Sequence, residues 1–459
     1  MKYNTSKAFT TIPYLAFFKR GLYWNLFDSL SSQGLVIFFH LLLRTFYGTD
    51  LHGRMGCLLS VFYIALVLCN AGLDQSIAPF LEGFTKNRYA FQAFFFRVLL
   101  PQVPIILLNL FLLLGVSLFV VPQILFPLNI SSAFYFLIGI SFILESIRKT
   151  CRTFLQLIFY NKLTACVETG NMVIYTSFIV LCHYFEISLS LESLWGAFTF
   201  LIAAQTAILA GGIAVFYSKL PHEISSKEPL GLTTRMLTTR LFTWANQSMA
   251  QLFSGNLLVP LCALKFGLEY ASLMKVMSTI SQWVSLISQK TFGISSNALL
   301  AHLKSRSLAT QQQAFFYLSS LLAQVLCFLG IFLLFNGKKI VLFYVDSASP
   351  VSWPLLYFML INNFLESLFV LYEKWYIFEE EAFYVLLFNA LSFTALYIAV
   401  SFFTTPFSLA LSVLSVRAIT LLSITFFSSY RWNIWPSYTP RAITLGISLI
   451  ISLAFYLFV

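Results

Sequence analysis

The sequence predicts an all-α, polytopic integral membrane protein, and three observations carry that expectation. First, 59% of the 459 residues are apolar and only 10% are charged, with a mean hydropathy of +0.83. Soluble domains carry about 25% charged and about 45–50% apolar residues. One membrane-spanning helix needs about 20 apolar residues, so the chain has material for about 12–13 spans. Second, the apolar residues fall in long continuous runs. In lipid every backbone polar group must be satisfied internally, which leaves helices or a closed barrel; barrel strands would alternate over about ten residues. Third, the charge distribution alternates along the chain. The composition excludes a soluble enzyme, a nucleic-acid-binding domain and a single-pass receptor.

Taken in order, the spans are 21–47, 53–80, 98–121, 131–158, 163–185, 192–218, 238–264, 268–291, 313–336, 351–373, 382–403, 405–430 and 441–459. Each is an apolar run bounded by a short polar break. Several exceed 25 residues, long enough to tilt or to project from the bilayer. The net charge of +11 comes from 28 Lys and Arg against 17 Asp and Glu. With the N-terminus inside, 21 of these 28 cations fall in cytoplasmic segments and five (Arg44, Arg54, Lys265, Lys338, Lys339) outside, with Lys275 and Arg417 within spans. That split follows the positive-inside rule. It predicts a multi-pass protein of the cytoplasmic (inner) cell membrane with a cytoplasmic N-terminus. No cleavable signal peptide is expected. The seven cysteines read as small buried apolar residues.

A shift of about 220 residues overlays the chain on itself. Arg20 and Trp24 meet Arg240 and Trp244, Tyr47-Gly48 meets Phe266-Gly267, and Leu144-Glu145-Ser146 meets Leu365-Glu366-Ser367. The expected organisation is an N-terminal six-helix lobe (1–220), a cytoplasmic linker (221–237), a C-terminal six-helix lobe (238–430) and an extra helix (431–459). Six is even, so the lobes form a parallel repeat, an architecture that suits alternating access around a midplane cavity.

The opening segments Arg44-Thr-Phe-Tyr-Gly48, Gly53-Arg-Met-Gly56 and Asn70-Ala-Gly72-Leu73-Asp74, with the six-plus-six order, carry a family resemblance. The chain resembles the Wzx-like polysaccharide (O-antigen type) flippases of the multidrug/oligosaccharidyl-lipid/polysaccharide exporter superfamily. The resemblance implies a two-lobed carrier that moves a lipid-pyrophosphate-linked oligosaccharide from the cytoplasmic to the outer leaflet. The Arg- and Asn-rich signature of related lipid II flippases is not matched, and the thirteenth span departs from the even number usual in the family. A drug/cation antiporter with the same fold is the alternative. A membrane glycan polymerase or ligase is a third reading, against which stands the lack of any expected outer loop longer than about 15 residues.

Charges inside spans cost about 2.5–3.5 kcal/mol each on insertion scales, and so count as functional candidates. The first span holds Asn25, Asp28, Ser32, Gln33, His40 and Arg44, which share an arc of about 160° on a helix. That face reads as cavity lining or as hydrogen-bonding contact with neighbouring helices. The seventh span repeats the theme with Asn246, Gln247, Gln251 and Asn256. Amides suit sugar hydroxyls because they donate and accept; Asn362 joins this set. Arg417, Lys275 and Arg44 are the candidates for a pyrophosphate. Asp28, Glu366 and Asp74 are the candidates for ion coupling, by proton or sodium, because a buried carboxyl is readily protonated. Glu145 reads as structural, paired one turn on with Arg148 or Lys149. There is no phosphate-binding loop and no HExxH or GxSxG. No catalytic residue, metal or cofactor is expected. The expected partners are the lipid-linked glycan, membrane lipids and a coupling ion.

Overall fold

The computed structural model describes residues 15–70, 85, 87–96, 100, 103–108, 111, 132–222, 234–252, 259–260, 263, 267–293, 296, 299–300, 303, 307–344, 352–379, 381–402, 406–434 and 442–458. Among the described residues the chain is helical, with no strand. The helices are α1 (Leu15–Asn70), α2 (Arg88–Phe94), α3 (Ser132–Leu157), α4 (Asn161–Tyr184), α5 (Leu191–Lys219), α6 (Thr234–Leu252), α7 (Leu268–Ile287), α8 (Leu308–Tyr344), α9 (Ser352–Phe378), α10 (Ala382–Phe402), α11 (Pro406–Trp432) and α12 (Ala442–Phe458). A π-helical turn, Ser288–Gly293, continues α7. The all-α polytopic membrane fold expected from composition is the observed one. Four described stretches, within α1, α4, α5 and α8, are long and apolar enough to cross a membrane.

Two expected spans appear as one helical element. α1 runs unbroken over 56 residues except at Gly48, whose φ is 88° and ψ 170°. Glycine has no Cβ to clash at positive φ, so it alone takes this conformation cheaply. The consequence is a reversal of direction. Twelve residues of straight helix would separate His40 from His52 by about 18 Å, yet their rings hydrogen-bond at 3.1 Å. The second such position is Gly267, with φ 92°. Its N–H donates to Ala263 C=O and its own C=O accepts from Ala271 N–H. It thus stands between one helical turn and α7, 219 residues after Gly48.

The same displacement recurs in the helix ends. Asn87 caps α2, its side chain accepting from Ala90 N–H at 2.8 Å, and Ser307, 220 residues on, begins α8 with its C=O accepting from Thr310 and Gln311 N–H. α3 starts at Ser132 and α9 at Ser352. α3 closes with Tyr160 N–H on Leu155 C=O and α9 with Glu381 N–H on Tyr376 C=O, both at 2.8 Å. Such i−5 bonds satisfy carbonyls that a helix terminus orphans.

Two compact units divide the chain: Met1–Leu26 with Met277–Val459, and Phe27–Val276. The 221–237 segment expected as an inter-lobe linker falls inside the second of these. In the Phe27–Val276 unit, α3 packs along α5, and α4 closes against both. Phe62, Phe142, Phe198 and Trp195 interlock edge-on in its core. In the other unit α9 packs along α11 with α10 against both, repeating the first arrangement, while α12 lies on α8. Asn336 of α8 donates to Ser452 C=O at 3.2 Å there. Trp375, which the sequence places at a membrane interface, is instead fully buried against Phe315 and Phe378. At the end of α11, a hydrogen bond to Glu381 raises the Arg431 guanidinium above its ordinary value.

Candidate functional site

The polar residues singled out in the sequence fall into three groups. The first is an ion-pair network in the Phe27–Val276 unit. Asp28 is buried on α1 and accepts from Arg152 Nη2 of α3 at 3.1 Å. Arg148, one turn earlier on α3, is paired to Glu145 on its own helix and to Glu168 on α4. Arg152 Nε lies 3.7 Å from Glu168 as well. Three carboxylates therefore meet two guanidiniums within the membrane-spanning helices. The local pairing expected for Glu145 is present. Glu168 is a network member that the sequence reading did not name; a charge five residues inside a span was the available signal.

The second group lies in the other unit. Glu366 on α9 is half-buried and accepts from Gln289 Nε2 of the π-helical turn at 3.2 Å. Arg417 on α11 is buried, donates to Asn389 Oδ1 of α10 at 3.4 Å, and lies within electrostatic range of Glu366. The structure thus brings the candidate anion contact and a candidate coupling carboxylate into one neighbourhood. Asn362 is half-buried one turn before Glu366. Asn25 is buried in this unit, its C=O facing Thr291 Oγ1 at 3.4 Å.

The third group gathers around the reversal at Gly48. His40, His52 and Lys275 are buried and Arg44 is half-buried. Lys275 rises from α7 against Gly56, where an added Cβ would lie 3.1 Å from its Cγ. Gly53 is closer still, since its Cβ would come 2.5 Å from the Leu268 carbonyl oxygen. These glycines let the second arm of α1 (49–70) seat directly on the start of α7. Of the remaining candidates, Gln33 on α1 and Gln247 on α6 are half-buried and Asn246 on α6 is buried. Asp74, Asn256 and the Gln251 side chain lie outside the described residues.

This fold is shared with solved transporters. No family model and no curated protein matches the chain in sequence. A MATE multidrug transporter, DinF-BH, solved in complex with a small-molecule ligand, superposes with a TM-score of 0.68 at 13% identity over 94% of this chain and 99% of that one. The eukaryotic MATE transporter AtDTX14 gives 0.61 at 13% identity over 96% and 99%. A MOP superfamily transporter from Pyrococcus furiosus, described as having a binding pocket of reverse polarity that suggests a different function, gives 0.59 at 12% identity over 91% and 95%. At these identities the likeness establishes the fold, that of MATE transporters in the MOP superfamily.

Proposed function

We propose that this chain is an alternating-access carrier that moves a lipid-pyrophosphate-linked oligosaccharide from the cytoplasmic to the outer leaflet. One observation carries the choice of an anionic substrate. Asp28, Glu145 and Glu168 are each ion-paired to Arg148 or Arg152, and Glu366 sits in the field of Arg417. A cationic drug needs a carboxylate to meet it, and these four already face guanidiniums. Displacing one of them would strand a buried charge, at a cost of about 3–5 kcal/mol. An anion meets the opposite situation, since Lys275 and Arg417 are buried in spans and Arg44 lies partly buried beside the first reversal.

In this reading Arg417, Lys275 and Arg44 contact the pyrophosphate. Asn25, Gln33, His40, Asn246, Gln247, Gln251, Asn256 and Asn362 line the path of the sugars, and Asp28, Asp74 and Glu366 are the carboxyls available for ion coupling. The lobes 1–220 and 238–430 are the moving parts, and the lipid tail stays in the bilayer. Substrate shifts the carrier only by binding one state better than the other.

The second reading, ion-coupled antiport of a multidrug type, is supported by the printed functions of the DinF-BH and AtDTX14 neighbours. The Pyrococcus neighbour makes pocket polarity the property that separates the two readings.

The test is a pair of proteoliposome assays on one preparation. One follows movement of a labelled lipid-pyrophosphate oligosaccharide to the opposite leaflet with an impermeant probe. The other follows a fluorescent cationic dye under an imposed proton or sodium gradient. Headgroup movement above empty liposomes, lost in Arg417→Ala at normal expression, supports the flippase. Dye export without headgroup movement overturns it in favour of antiport.

A further inference from the structure

The reversal at Gly48 creates a buried hydrogen-bonded chain that the transport reading does not use. His40 Nδ1 lies 3.1 Å from His52 Nε2, and His52 Nδ1 lies 2.8 Å from Ser272 Oγ on α7. All three residues are buried. The chain can run in either direction. Either His40 donates to His52 and His52 donates to Ser272, or Ser272 donates to His52 and His52 donates to His40. It also accepts one extra proton, because an imidazolium at His52 donates from both nitrogens, to His40 on one side and Ser272 on the other. A second proton would set two N–H groups against each other.

The surroundings make that extra charge costly where it lies. Arg44, from the first arm of α1, and Lys275, from α7, are the charged groups acting on the pair. The second arm adds Cys57, beside Lys275, and the Asp50–Arg54 ion pair. From α4 comes Tyr175, stacked on Phe39 and donating to Leu194 C=O. A third cation in this dry contact is opposed by Coulomb repulsion that water would screen. Proton uptake therefore favours a state in which the contact is wet. The contact itself is tight, with Gly53 under Leu268 and Gly56 under Lys275.

We propose that the His40–His52 pair is a proton-binding site whose occupancy opens the contact between the second arm of α1 and α7. As the site of a coupling proton it rests on the carrier reading; as a proton-controlled contact it does not.

The experiment measures the contact directly in the full chain. Nitroxides are placed by Asp50→Cys and Glu269→Cys, both exposed positions, in a background with the native cysteines replaced, and their separation is read by electron double resonance at pH 8 and pH 5.5. The expected result is a lengthening at pH 5.5 on the order of 5 Å, about one helical turn. His52→Gln, which keeps hydrogen-bonding capacity but does not titrate, is expected to hold the short distance at both pH values. Ser272→Ala is expected to lengthen the distance at pH 8 while keeping the acid step, which a purely structural histidine would not produce. Hydrogen exchange over 49–60 and 268–280 in the native sequence, corrected for intrinsic rates, reads the same event without labels. An unchanged distance and unchanged exchange in the wild type overturn the proposal, as does an acid step that survives in both His40→Gln and His52→Gln. An acid step in a protein that moves neither substrate removes the carrier reading alone; transport without the step removes the proton site alone.

Discussion

Glu145 on α3 and Glu366 on α9 stand at matching points of two copies of one pattern. Each is followed by a serine that donates to the carbonyl four residues back, Ser146 to Phe142 and Ser367 to Asn363. Each helix packs along a partner, α5 or α11, and ends in the same i−5 turn. The side chains around the two glutamates differ. Glu145 shares Arg148 with Glu168, and Arg152 links that cluster on to Asp28. Glu366 has a neutral amide donor in Gln289, and Arg417 holds the neutral Asn389. One copy spends its polar groups on binding itself together, and the other keeps its ions on soft, neutral contacts that a ligand can replace. A saturated buried ion network confers rigidity and is costly to break. The C-terminal cluster is therefore the better place to look for substrate-dependent change, and the N-terminal one for stability.

The largest expected effect tests that division. Arg148→Leu leaves Glu145 and Glu168 buried without their shared guanidinium and is expected to destabilise by about 3–5 kcal/mol, read from denaturant unfolding in detergent. Adding Glu145→Gln and Glu168→Gln is expected to restore part of the loss. Arg417→Leu is expected to cost about 1.5–3 kcal/mol; equal losses for the two arginines would erase the contrast. Next comes the α1–α7 contact. Gly53→Ala drives a methyl into Leu268 and is expected to cost about 1–3 kcal/mol. Ser272→Ala, at the matching position of the second copy, removes one hydrogen bond for about 1 kcal/mol. The two reversals should behave alike: Gly48→Ala and Gly267→Ala are each expected to cost about 1–2 kcal/mol through strain at positive φ. The smallest effects are at the caps. Asn87→Ala is expected to lower thermal stability by about 1 kcal/mol, and Ser307→Ala by about half as much, because the Ser307 hydroxyl engages the Thr310 side chain rather than a backbone N–H.

Helix positions were legible in the sequence because lipid imposes long apolar runs, and the starts of α3, α9, α10 and α11 fall within a residue of expectation. The repeat was legible at Gly48 and Gly267 because positive φ restricts the residue type. The ion network was legible only in part. Glu145 and Arg148 share a helix face, which spacing reveals, but Arg152 reaches Asp28 across 124 residues of chain, and no local pattern encodes that. The histidine pair was hidden differently. The wheel placed His40 on a polar face of a straight helix, and His52 fell in the break between spans. Only the reversal between them makes the two rings neighbours. Trp375 was misplaced because an aromatic residue near a span end looks the same whether it faces the interface or the core.

The hydrogen bond between His52 and Ser272 spans 220 residues, and that separation has a meaning in time. A ribosome adds about 5–20 residues per second, so α7 emerges roughly 10–45 s after the helix on which it docks. Throughout that interval the glycine face at Gly53 and Gly56 has no α7 to cover it, and His52 has no serine. The nascent chain must park a polar, close-packing surface in or beside the membrane until its mate is made. Substitutions there will show first as lost yield and slow maturation, before any change in the finished protein is measured.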